Sequence, residues 1–153
     1  MQPHQATDPY DWRALLALLH RAFAYMEGVI DPPSSLRDLT TDTLAAQSRT
    51  GEIWVIGTPP IACLILTPKP GVLYLGKLAV DAAHRGKGHA RALIGVAEAR
   101  ARAMGLPALE LQTRVELADN HATFRRMGFV QTAATAHPGY DRPTSLTFRR
   151  PLP

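Results

Sequence analysis

The sequence predicts one α+β domain built on a mixed, mostly antiparallel sheet. Three observations carry this. Apolar residues recur at helical spacing between Asp11 and Arg49. From Glu52 the pattern changes to short strand-like runs whose Pro/Gly connections are too tight for anything but antiparallel neighbours. A long amphipathic stretch then separates the third run from the fourth, the length that a parallel crossover requires. The chain of 153 residues, 46% hydrophobic and 20% charged, suffices for one core, and residues 1–153 are read as a single domain.

Taken in order, residues 2–7 are expected to form a short first strand. Asp11 is placed as the N-cap of a helix whose stripe is Trp12, Leu15, Leu16, Leu19, Ala22, Phe23 and Met26. Gly28 and Asp31-Pro32-Pro33 end it. Ser34 to Arg49 reads as a second, weaker helix, closed by Gly51. Glu52–Gly57, Ile61–Thr67 and Val72–Val80 form a three-strand meander. A loop from Asp81 to Gly88 leads into a helix through Met104, with Ala90, Leu93, Ile94, Ala97, Ala101 and Met104 on one face and Gly105 as its stop. Ala108–Thr113 is a strand parallel to Val72–Val80. A short helix, Asn120–Met127, and two strands, Phe129–Ala136 and Thr144–Arg149, complete the domain.

Composition narrows the function. No apolar run approaches the roughly 20 residues of a membrane-spanning helix, and the N-terminus lacks the basic start and apolar stretch of a signal peptide. The single cysteine, Cys63, excludes an internal disulfide and reads as a small buried hydrophobe, so a cytoplasmic location is expected. No HxxxH or HExxH spacing is present, and no metal is expected. The net charge is +4, but residues 77–153 carry 12 basic and 6 acidic side chains against 5 and 7 in residues 1–76. That asymmetry points to an anionic ligand in the second half or to a solvated basic surface. Nucleic acid is not expected, because no recognition helix or exposed aromatic stack accompanies the charge.

The informative segment is Val80-Asp81-Ala82-Ala83-His84-Arg85-Gly86-Lys87-Gly88-His89-Ala90-Arg91. It runs from a strand through a glycine-bearing turn into the first turn of a helix, whose unpaired N–H groups and dipole favour an anion. Arg85, Lys87 and Arg91 add full charges, which suits a phosphate or pyrophosphate. The GxxxxGK[ST] phosphate loop is absent. A dinucleotide fingerprint fails because Arg91 stands where its third glycine belongs and three antiparallel strands precede the turn.

Arg85-x-x-Gly88-x-Ala90, after Leu78-Ala79-Val80 and before an amphipathic helix, resembles the coenzyme A signature of the GNAT superfamily of N-acetyltransferases. The segment Asn120-His121-Ala122-Thr123-Phe124-Arg125-Arg126-Met127-Gly128-Phe129 is similar to that family's closing segment. The resemblance implies a six- to seven-stranded sheet flanked by about four helices, with central parallel strands that splay at their C-terminal ends. It implies acetyl-CoA as co-substrate, with Leu78, Ala79 and Val80 along pantetheine and Arg85, Gly86, Lys87, Gly88, His89 and Ala90 around the pyrophosphate. Arg91 is a further contact, and Asn120 and Phe124 flank the thioester. The side chains of Lys87 and His89 are read as facing solvent, and Arg125-Arg126 either meet the coenzyme's phosphates or decorate a helix.

The implied reaction is attack of a primary amine, on a small molecule or peptide, on the acetyl carbonyl within a ternary complex. An N–H near Leu78–Val80 would steady the developing oxyanion. The usual tyrosine acid is replaced by Phe124, which has no proton to give. Tyr140 and Tyr74 are the phenols considered in its place, Tyr74 being read as sharing a strand face with Gly76, Leu78 and Val80. Glu110 is the candidate base, with a structural pairing to Arg114 or Lys77 equally open. An acyl-CoA-binding domain with a sensing or weakly catalytic role is the alternative. Asp31, Asp38 and Glu27 are carboxylates that could attract a cationic amine, and oligomeric state, a homodimer included, is left open.

Overall fold

A computed structural model describes residues 1–153. One seven-stranded sheet runs in the order β1-β2-β3-β4-β5-β7-β6. The strands are β1 (His4–Gln5), β2 (Glu52–Ile56), β3 (Ala62–Lys69), β4 (Val72–Val80), β5 (Ala108–Arg114), β6 (Val130–Thr135) and β7 (Ser145–Pro151). The helices are α1 (Trp12–Phe23), α2 (Thr41–Thr50), α3 (His89–Ala103) and α4 (Ala118–Arg126). All neighbouring strands are antiparallel except β4 and β5. The expected α+β architecture is therefore the one observed.

Two cores sandwich the sheet. Leu93, Ile94, Ala97 and Ala101 of α3 pack on Leu64, Leu66, Leu73, Leu75, Leu109 and Phe148. On the other face Leu15, Leu18 and Leu19 of α1 and Leu44 of α2 cover Ile53, Val55, Cys63 and Ile65. The α1 stripe follows from its spacing, and the Asp11 carboxylate caps it by accepting from the Ala14 N–H at 3.1 Å. The segment read as one second helix is instead a 3-10 turn over Ser35–Asp38 followed by α2. Leu39 and Thr40 between them are extended, and Thr40 caps α2 by accepting from Thr43 N–H at 3.1 Å. A threonine hydroxyl offered to the backbone thus breaks a stretch that apolar spacing alone makes continuous.

Two irregularities of β4 shape the centre. It pairs with β5 only through Leu73, Tyr74 and Leu75, opposite Leu109, Glu110 and Leu111, so beyond Leu75 the parallel strands part. The β3–β4 register shifts between Cys63 and Ile65, and Lys77 in the bulge has a left-handed φ of 51°. The extra residue reverses which side chains face which core. Leu75 and Leu78 both meet the α3 side, whereas Ala79 joins the α1 side. The expectation that Tyr74 and Gly76 share a face with Leu78 and Val80 is therefore corrected, because strict alternation does not survive the bulge.

Candidate active site

The loop between β4 and α3 turns through Gly86 (φ 77°) and Gly88 (φ 82°), both left-handed conformations that a side chain resists. Gly88 is the N-cap of α3, with no side chain capping it and no acidic residue in the first turn. None of the backbone N–H groups from Arg85 to Arg91 donates to another group of the protein. The positive end of a 15-residue helix and a run of backbone donors without protein partners thus lie together at this loop. Arg85 steadies the turn, donating to the carbonyls of Val80 (3.4 Å) and Ala22 (3.3 Å).

The loop borders a cavity of about 740 Å³. Leu78, Ala79 and Val80 line one wall, Arg85, Gly86, Gly88, His89, Ala90 and Arg91 the end, and Asn120 and Phe124 the opposite wall. Of the residues expected around a coenzyme, only Lys87 does not line it, and Lys87 is exposed. His89, read as facing solvent, is instead half-buried at the start of α3, with a buried Nε2 that has no partner. A second compartment of about 410 Å³ lies where β4 and β5 part. Phe23, Leu78, Asn120 and Phe124 line both, so the two compartments adjoin along a passage at the splay.

The remaining candidates are dispersed. Glu110 lies where β4 and β5 are still paired, lines neither compartment, and accepts from Arg149 at 2.9 Å rather than from Arg114 or Lys77. The Tyr140 hydroxyl donates to Asp31 at 2.7 Å, a hydrogen bond that raises its pKa, and it too lines neither compartment. Tyr74 lines the second compartment, and burial first, then the charge of Glu110, pushes its phenol up. Arg125 stacks over Phe148, Arg126 donates to Thr123, and neither lines a compartment. His121 is buried against Phe148 with its Nε2 at 2.9 Å from the Arg114 carbonyl.

One residue escaped the sequence reading. Tyr25, just past α1, lines the larger cavity, accepts from Asn120 Nδ2 at 3.3 Å and lies beneath the Arg85 guanidinium. Its partner lies 95 positions away, so no local spacing signals it. No grouping of three or more His, Cys, Asp or Glu side chains is placed to hold a metal ion, and no helix is long and apolar enough to cross a membrane.

No curated protein sequence matches the chain. Solved structures share its fold. The PaiA N-acetyltransferase from Thermoplasma acidophilum in complex with coenzyme A superposes with a TM-score of 0.77 at 13% identity, over 99% of this chain and 100% of that one. An acetyltransferase from Streptococcus agalactiae gives 0.75 at 19% identity, covering 99% and 98%. A GNAT family acetyltransferase from Elizabethkingia anophelis with acetyl-CoA bound gives 0.69 at 16% identity, covering 99% and 97%. At the level of sequence, residues 12–129 match the acetyltransferase (GNAT) family, a span that holds the splayed strands, the glycine turn and the Asn120–Phe129 segment. The chain belongs to the GNAT acetyltransferase family.

Proposed function

We propose that the protein is an N-acetyltransferase that moves an acetyl group from acetyl-CoA to a primary amine of a small molecule or peptide in one ternary complex. The observation that carries this reading is the pair of compartments that adjoin at the splay, one ending at backbone N–H donors without protein partners and the other separate from them. The backbone from Arg85 to Arg91 suits the diphosphate, and the Leu78–Val80 edge, unpaired with β5, suits the amide-bearing pantetheine arm. Asn120 and Phe124 stand across the passage from Leu78. Acetyl-CoA supplies the acyl group as an activated thioester. The nitrogen–carbon bond forms as the carbon–sulfur bond breaks, one amine proton passes to water, and coenzyme A departs with the sulfur electron pair.

The chain's own part is positional and electrostatic. The bulge at Lys77 re-aims the main chain where the strands part, which suits an N–H near Leu78 for the charge that develops on oxygen. Phe124 cannot donate a proton, and the reading assigns no proton to Glu110 or Tyr140, whose groups are held by Arg149 and Asp31. Those same three facts favour the second reading, an acyl-CoA-binding domain without efficient turnover. Calorimetry with acetyl-CoA and thiol release with a panel of amines decide. Tight binding with amine-dependent thiol release supports the enzyme, binding without release supports the sensor, and no binding refutes both.

A further inference from the structure

The compartment opposite the coenzyme cavity has an unusual charge pattern. No Asp or Glu lines it, while Lys77 and Arg114 do, together with His137. The Lys77 ammonium makes no ion pair or hydrogen bond, although the residue is half-buried and sits in the left-handed bulge. Burial and the neighbouring charge of Arg114 both lower its pKa, the mark of a cation held without a counter-charge. Arg114 donates to the carbonyls of Pro32 (2.7 Å) and Pro33 (3.3 Å), neutral acceptors that leave its charge uncompensated. Of the carboxylates on adjoining segments, Glu110 pairs with Arg149 and Asp31 with Tyr140 and Arg142, while Glu116 accepts from the Asp31 N–H at 3.1 Å, keeps a buried Oε1 without a partner, and does not line the compartment.

Two further features belong to the same wall. Thr113 is 8% exposed, and its hydroxyl oxygen is buried without a partner; so is the side-chain oxygen of Gln47 from α2. The rest of the lining is mixed, with Phe23, Met26, Leu36 and Ile65 beside the polar side chains of Thr67 and Gln112. A protein tolerates like charges and unmet polar atoms in such a place when a ligand completes them. A polyamine or a lysine-rich peptide would bring more positive charge to Lys77 and Arg114, and Asp31, Asp38 and Glu27 line no part of the compartment to offset it.

We propose that the acceptor is a small amino acid-like molecule: a primary amine that also carries a carboxylate, with the carboxylate held by Lys77 and Arg114. This rests on the N-acetyltransferase reading and names the substrate class of the same site. A volume of about 410 Å³ fits a molecule of that size. Strand β4 thus serves both substrates, Lys77 facing the acceptor and Leu78–Val80 the coenzyme.

The test compares L-methionine and L-phenylalanine with their C-terminal amides, with phenethylamine and with spermidine, by thiol release from acetyl-CoA, after calorimetry on the same protein. The amino carboxylates are expected to exceed their amides in kcat/KM by about tenfold or more, chiefly through KM, as befits a charge-assisted contact. Lys77→Met should narrow that ratio several-fold, and Lys77→Arg should retain it. Amides, phenethylamine or spermidine turned over as well as the amino carboxylates overturns the assignment. So does a protein that binds acetyl-CoA yet acetylates neither amino acid. Failure to bind acetyl-CoA instead overturns the underlying reading. The acid–amide comparison needs no variant, so it decides even if Lys77→Met does not fold.

Discussion

Replacing Gly88 by alanine isolates the contribution of the main-chain cradle. At φ +82° a Cβ meets nothing within 4 Å, so the cost is torsional and not steric. A left-handed alanine costs about 1–2 kcal/mol. If the free loop keeps its shape, that strain appears as lost stability, and for a chain of this size it lowers Tm by roughly 2–8 °C. If the free loop relaxes, its N–H groups turn away and binding must restore them, so the strain appears as weaker acetyl-CoA affinity, up to about 5–30-fold. Gly71→Ala is the matched control. Gly71 has φ +77°, equally open surroundings, and lines neither compartment. Thermal melts and calorimetry on both variants should show stability lost in each and affinity lost only in Gly88→Ala, the two losses in that variant together bounded by one strain energy. Equal affinity loss in Gly71→Ala, or full affinity in a Gly88→Ala protein whose Tm is also unchanged, refutes the reasoning.

Further expectations concern single side chains. Glu110→Gln should leave the shape of the pH–rate profile unchanged and cost on the order of 1 kcal/mol in stability, since its carboxylate answers to Arg149 outside the passage. Glu52 accepts from Arg100 at 2.8, 2.9 and 3.2 Å and from Trp54 at 2.9 Å. Burial alone raises its pKa, but these hydrogen bonds and the Arg100 charge outweigh it and leave the carboxyl lowered. A folded pKa below the unfolded one adds stability above the ordinary carboxylate range, which is lost as pH falls through the folded value. Arg100→Met should therefore cost about 1 kcal/mol near neutrality and flatten the acid limb of a stability–pH curve measured by urea unfolding. Burial pushes the Cys63 thiol up to about 12, so it should resist a thiol reagent at pH 8 until the protein unfolds. Rapid labelling of native protein would contradict this.

Much of this protein is local chemistry and is readable along the chain. The α1 stripe, the Asp11 cap, the meander and the glycine turn into α3 each follow from neighbours within a few residues. The glycine turn into α3 is legible for that reason: its donors are consecutive backbone groups, so their placement needs only the turn. What pairs across the fold was not readable. Arg149 reaches Glu110 across 39 positions, Tyr140 reaches Asp31 across 109, and Asn120 reaches Tyr25 across 95. Sequence spacing marks Glu110 and Tyr140 as reactive types; their partners, set by strand order and loop docking, hold them away from the passage. The bulge at Lys77 matters most, since one extra residue reverses the facing of β4 and leaves a lone ammonium in the smaller compartment at the splay. Periodicity reports the average geometry of a strand, whereas a register shift arises from how β3 and β4 meet, and only their packing decides it.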